Sequence, residues 1–129
     1  MPENKVVVHR KDGTLQKGTT KDFFPNKEKF HLELEAGGVS VMLVEELKAV
    51  FFVRNLTGRP EHNETYRDDI AGGGRKVEVT FEDGEVIVGF TSGYSPNRRG
   101  WFVLPADKQS NNLRIFVLNS AVQSVRMLD

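Results

Sequence analysis

The chain has 129 residues, 38% hydrophobic and 28% charged, which suits one ordinary domain or two very small ones and excludes a disordered polyelectrolyte. Eighteen basic residues cancel eighteen acidic ones, which counts against wrapping nucleic acid by bulk positive charge while leaving a local basic patch open. With no cysteine, disulfides, thiol nucleophiles and thiolate metal sites drop out together.

Val6 and Val8 alternate with residues of mixed polarity, the period of two that marks a strand. Lys11-Asp12-Gly13 reads as a tight hairpin turn, because glycine accepts the positive φ that such turns need. A second strand over Thr14–Thr20 carries Gly18 inside it, the mark of a bulge or sharp bend. A third strand follows over Phe30–Glu35. Gly37-Gly38 turns the chain into a fourth over Val39–Val44. Glu45-Glu46 gives one helical turn, and Lys48–Val53 is a fifth strand. Next comes a polar stretch, Arg54–Gly74, containing Pro60 and ending in Gly72-Gly73-Gly74. It reads as a linker of about 20 residues. The same series then returns: Val77, Val79 and Phe81 on a strand, a turn at Glu82-Asp83-Gly84, and a strand over Glu85–Thr91 with Gly89 inside it. Strands over Trp101–Leu104 and Arg114–Leu118 flank a longer loop, Asp107–Asn112. A turn at Asn119-Ser120 and a strand over Gln123–Leu128 complete the series.

The likeness extends to single residues. With Lys5 set against Lys76, Val6 and Val8 meet Val77 and Val79, Asp12-Gly13 meets Asp83-Gly84, and Gly18 meets Gly89. Thr20 meets Thr91, Pro25-Asn26 meets Pro96-Asn97, and Phe30 meets Trp101. Beyond an insertion in the Pro105–Asn112 loop, Leu43, Leu47 and Val50 meet Leu118, Val122 and Val125. The expected fold is therefore all-β, with two tandem five-stranded SH3/Sm-like barrels related by an internal repeat. Their bounds are residues 4–54 and 75–129, and the linker is 55–74. Each half is near the lower size limit for a core of its own, so the halves should pack on each other or on a second copy.

The order Asp12-Gly13, Gly18, Asp22, Asn26 and Phe30-x-Leu32 resembles the Sm-like family of small β-barrels. So does Ile115-Phe116-Val117 followed by Ala121-Val122-x-Ser124-Val125. The resemblance covers both halves but not the linker, and it implies fold more than function. The family's RNA-chaperone members carry a Lys-His pair before the fifth strand. Here those positions are Leu118-Asn119 and Val44-Glu45, and the family's N-terminal helix is missing. The runs Lys17–Lys27, Leu47–Val53 and Gly93–Arg98 also resemble an uncharacterised bacterial domain sometimes found beside PilZ cyclic-dinucleotide receptors. Arg54 and Arg59 are spaced one residue too far for a PilZ arginine pair, and the PilZ turn motif is absent.

The candidate site is the loop between the second and third strands, present twice as Phe23–Phe30 and Tyr94–Trp101. Asn26, Lys27, Lys29, Tyr94, Asn97, Arg98, Arg99 and Trp101 combine basic side chains with an aromatic expected to be exposed. Arginine pairs bidentately with anions, and aromatic faces stack on bases or guanidinium groups. The plainer reading is a type I turn with Pro second and Asn third. Phe23-Phe24 and Phe51-Phe52 each send adjacent aromatics to opposite faces, one into the core and one to solvent, the sister half or a partner.

No catalytic constellation, metal site or cofactor motif emerges. Gly93-Tyr94-Ser95-Pro96-Asn97 lacks the second glycine of a nucleophile elbow, and Gly72-Gly73-Gly74-Arg75 opens a strand instead of a phosphate-binding helix. His9, His31 and His62 have no ligand spacing, and Asp68-Asp69 and Glu45-Glu46 lack the regular acidic spacing of calcium sites. No apolar run approaches a membrane span, and Met1-Pro2-Glu3-Asn4-Lys5 does not read as a secretory leader. The expectation is a cytoplasmic, non-enzymatic bacterial interaction or regulatory module. A protein is its first expected partner, RNA or a nucleotide the alternative, and homo-oligomerisation stays open.

Overall fold

The structure is a computed structural model that describes residues 3–58, 74–107 and 109–128. Ten strands form in chain order: β1 (Asn4–Arg10), β2 (Leu15–Thr20), β3 (Lys29–Leu34), β4 (Val39–Leu43), β5 (Leu47–Val53), β6 (Arg75–Phe81), β7 (Val86–Thr91), β8 (Gly100–Pro105), β9 (Asn112–Leu118) and β10 (Val122–Met127). Single 3-10 turns, Val44–Glu46 and Asn119–Ala121, precede β5 and β10, where the sequence places its helical turns. The all-β expectation holds. Among the described residues no helix is long and apolar enough to cross a membrane. Most of the expected linker, with Arg59, Pro60, His62, Asp68-Asp69 and Gly72-Gly73, lies outside the described residues.

All ten strands join one antiparallel sheet, in the order β10-β6-β7-β8-β9-β5-β1-β2-β3-β4. One pairing pattern occurs twice. β1 pairs with β2 and β5, β2 with β3 and β3 with β4; β6 pairs with β7 and β10, β7 with β8 and β8 with β9. One further ladder, β5 against β9, ties the two sets together, with Ala49 opposite Val117, Val50 opposite Phe116 and Phe51 opposite Ile115.

That ladder explains the core. Strand alternation sends Val50 and Phe52, with Phe116 and Leu118, to one side, where they meet Val6, Val8, Phe30, Leu32 and Met42. Ala49, Phe51 and Val53, with Ile115 and Val117, go to the other side, against Val77, Val79, Phe81, Trp101 and Val103. β5 is thus buried at every position because it is a wall shared by two cores. The adjacent aromatics Phe51 and Phe52 divide between those cores, as alternation requires. In the other pair, Phe23 packs edge-on against Phe30, Phe52 and Phe116, while Phe24 stays exposed.

Both hairpin glycines, Gly13 and Gly84, have φ of 93°, in the left-handed region. Gly18 and Gly89 have a different role. A Cβ at Gly18 would run into the carbonyl of Glu33, and one at Gly89 into that of Leu104, so each glycine lets the next strand cross close by. The chain after β5 is docked at its start: Arg54 N donates to Asn111 O (2.9 Å), and Asn111 Nδ2 donates to Asn55 O (2.8 Å).

Candidate functional site

The β2–β3 and β7–β8 loops both make the turn their Pro-Asn sequence asks for. Lys27 N donates to Phe24 O at 3.1 Å and Arg98 N to Ser95 O at 3.4 Å, closing four-residue turns with Pro second and Asn third. The β5–β9 ladder sets the two loops against each other. Between them opens a cleft of about 490 Å³ lined by Pro25, Asn26, Arg98, Arg99 and Gly100. A smaller recess of about 210 Å³, which shares Arg99 with it, is lined by Arg99, Glu28, Leu43 and Glu45.

Of the expected site residues, Asn26, Arg98 and Arg99 come together at this cleft. Lys27 is exposed and places its ammonium 4.8 Å from the Phe24 ring. Lys29 opens β3 opposite Leu43, with its side chain in solvent. Asn97 is exposed at the turn. Trp101 departs from expectation. It is 3% exposed, in the second core, and its Nε1 donates to Asn119 Oδ1 at 2.8 Å. Its repeat partner Phe30 is equally buried, so position decides its fate over chemistry. In the second loop the aromatic left in solvent is Tyr94, edge-on to Trp101 with ring centroids 4.8 Å apart, as Phe24 is left in solvent in the first.

Asn119, which the sequence places in the turn before the last strand with no site role, organises the second loop. Its Nδ2 donates to Ser95 O (2.8 Å) and Arg98 O (2.9 Å), and its amide N donates to Arg99 O (3.0 Å). The side chain that satisfies Trp101 therefore also shapes the loop carrying both arginines. In the first loop Asp22 does comparable work, accepting from His31 N (2.9 Å) and lying 2.6 Å from His31 Nδ1. Burial disfavours its charge, but bonds from His31 and Thr20 outweigh that and hold its carboxyl below the usual range.

His9 stacks at 4.1 Å on Phe51, and burial above all lowers its pKa to about 4. Arg114 lies over the Phe52 and Phe102 rings at 4.3 and 4.5 Å, and burial lowers its pKa. Among the described residues no group of three or more His, Asp and Glu could hold a metal ion.

Residues 2–129 match DUF6982, a family of unknown function. The chain belongs to this family. No curated protein and no solved structure matches the chain. The DUF6982 match spans β1 to β10, and so takes in both Pro-Asn loops and the cleft between them.

Proposed function

We propose that this DUF6982 chain is a non-enzymatic, cytoplasmic binding module, two small SH3/Sm-like barrels fused through one sheet. In this reading it holds a peptide segment of a partner protein in the cleft between its Pro-Asn loops. The carrying observation is the mixed charge there: Arg98 and Arg99 flank Asn26, while Glu28 and Glu45 stand beside Arg99. A polyanion would meet those carboxylates unfavourably, whereas a peptide with an acidic and a neighbouring basic or polar side chain would satisfy both. Burial of Trp101 also removes a stacking face, which supports a protein partner over an oligonucleotide. RNA or a nucleotide is the second reading, favoured by the exposed Tyr94 in the loop that also carries Arg98 and Arg99.

A mixed-charge peptide library and a U-rich RNA, each titrated at low and physiological salt, separate the two. The peptide reading expects binding at physiological salt that Arg98→Glu/Arg99→Glu abolishes. RNA binding that falls steeply with salt, with no peptide bound, would replace it with the nucleic-acid reading.

A further inference from the structure

The β5–β9 ladder joins the fifth strand of one set to the fourth strand of the other. The corresponding strands, β10 and β4, stand at the two ends of the sheet. Their outer sides have no strand partner among the described residues. We infer that β10 of one molecule pairs with β4 of a second copy, repeating between molecules the ladder that β5 and β9 make within one.

Exposure supports this occupant. Val39, Val41 and Leu43 on β4 are 64, 50 and 41% exposed, a row of apolar side chains on an edge strand. An edge left so apolar invites pairing with another chain. The matching positions on β9 are Arg114, Phe116 and Leu118, and there, against β5, Phe116 and Leu118 are buried. β4 thus displays what β9 buries.

The backbone agrees. Leu128 N donates inward to Lys76 O at 3.0 Å, so the alternate amides of Val125 and Met127 point away from β6. Val44 N donates to Glu28 O at 2.9 Å, so the alternate amides of Val41 and Leu43 point away from β3. Val50 opposite Phe116 in the internal ladder becomes Val125 opposite Val41 between copies. The contact is head-to-tail, so copies joined this way form a ring where the rotation closes and a filament where it does not. A second cleft then follows, with Pro96 and Asn97 of one copy facing Lys27, Glu28 and Lys29 of the next. Only this last consequence rests on the proposed ligand site.

Sedimentation and light scattering of the full chain over a wide concentration range test the contact. Wild type should exceed dimer mass, and Val41→Pro and Val125→Pro, which remove outward amides only, should each be monomeric. Mixed one to one, the two variants should form a dimer that grows no further, because one intact β10 meets one intact β4. Far-UV circular dichroism checks that each variant folds. Val41→Lys and Ser124→Lys, which keep every backbone hydrogen bond, make the same comparison if a proline unfolds its half. A monomeric wild type, an oligomer that survives either folded edge variant, or a mixture that stays monomeric would each overturn the inference. Peptide or RNA binding by monomeric variants is read separately, so failure of the assembly and failure of the ligand site are distinguishable.

Discussion

The ammonium of Lys48 on β5 lies 2.8 Å from Asp83 Oδ2 in the β6–β7 turn and also reaches Glu85 Oε1. It sits 4.8 Å from the Phe81 ring, and the lysine is buried while both carboxylates keep solvent access. This pins the first-half strand that walls both cores to the hairpin of the second half. Burial disfavours the ammonium, but its bonds to Asp83 and Glu85 outweigh that and raise its pKa, while the Lys48 bond lowers that of Asp83.

A pair built this way is costlier to break than to remove. Lys48→Met keeps an apolar stem over Phe81 and takes away the buried charge, so its loss of stability in urea unfolding should be within about 1 kcal/mol. Asp83→Asn/Glu85→Gln keeps the shapes but strands the ammonium, and should cost about 3 kcal/mol. If Lys48→Met proves the more damaging change, the bridge itself is a main source of stability.

Acid should weaken the fold through His9 before it reaches the carboxylates. Its folded pKa, about 4, lies below its ordinary 6.5, so below pH 6.5 the unfolded chain takes up a proton that the folded chain refuses. Stability is fully present above 6.5 and falls as the pH drops toward 4. Lys48 reinforces the shift, while Glu85 and Asp83 oppose it. The full shift corresponds to about 3 kcal/mol, and solvent access to the ring brings the expected loss to about 1–2 kcal/mol. Urea midpoints at pH 7.5 and 5 should differ in wild type, and that difference should shrink in His9→Phe. Below that window Asp83 and Asp22, with lowered pKa values, add their own loss as they protonate.

Gly18 and Gly89 should tolerate no side chain. A Cβ at either would run into the backbone of the neighbouring strand, which cannot swing aside as a side chain can. Gly18→Ala and Gly89→Ala should each lose about 2–4 kcal/mol in urea unfolding. Gly93→Ala is the control: nothing lies within 4 Å of its Cβ position, and its stability should change by under about 1 kcal/mol.

Much of this architecture is legible in local pattern. Alternating valines, paired Asp-Gly turns and the glycines inside β2 and β7 place strands within a few residues of where they form. What joins distant strands is not legible. The run Leu47–Val53 reads as a strand, but nothing in it says that Ala49, Phe51 and Val53 face partners from β6, β8 and β9. Trp101 reads as a binding aromatic because it adjoins basic residues, yet in the structure it and its repeat partner Phe30 are both core. Asn26, Arg98 and Arg99 are identifiable as polar and basic side chains in the two Pro-Asn loops, whereas their meeting in one cleft depends on the β5–β9 ladder, which no local pattern encodes.

Asn119 carries the last prediction, because one amide group serves the core and the loop together. Asn119→Ala leaves Trp101 Nε1 without its acceptor and releases the carbonyls of Ser95 and Arg98. A buried donor left unpaired costs about 1–3 kcal/mol, so urea stability should fall by that amount. Trp101 emission should shift to longer wavelength as water reaches the indole. The β7–β8 turn should loosen with it, so any ligand held by Arg98 and Arg99 should bind more weakly even though neither arginine is changed. Val44 holds the corresponding place in the first half, where its amide makes the matching bond to Glu28 O and its side chain is apolar. Val44→Ala should therefore lower stability through lost core packing and leave Trp101 emission where it was. An equal emission shift in both variants would mean that Trp101 reports general loosening of the sheet and that Asn119 has no special hold on the loop.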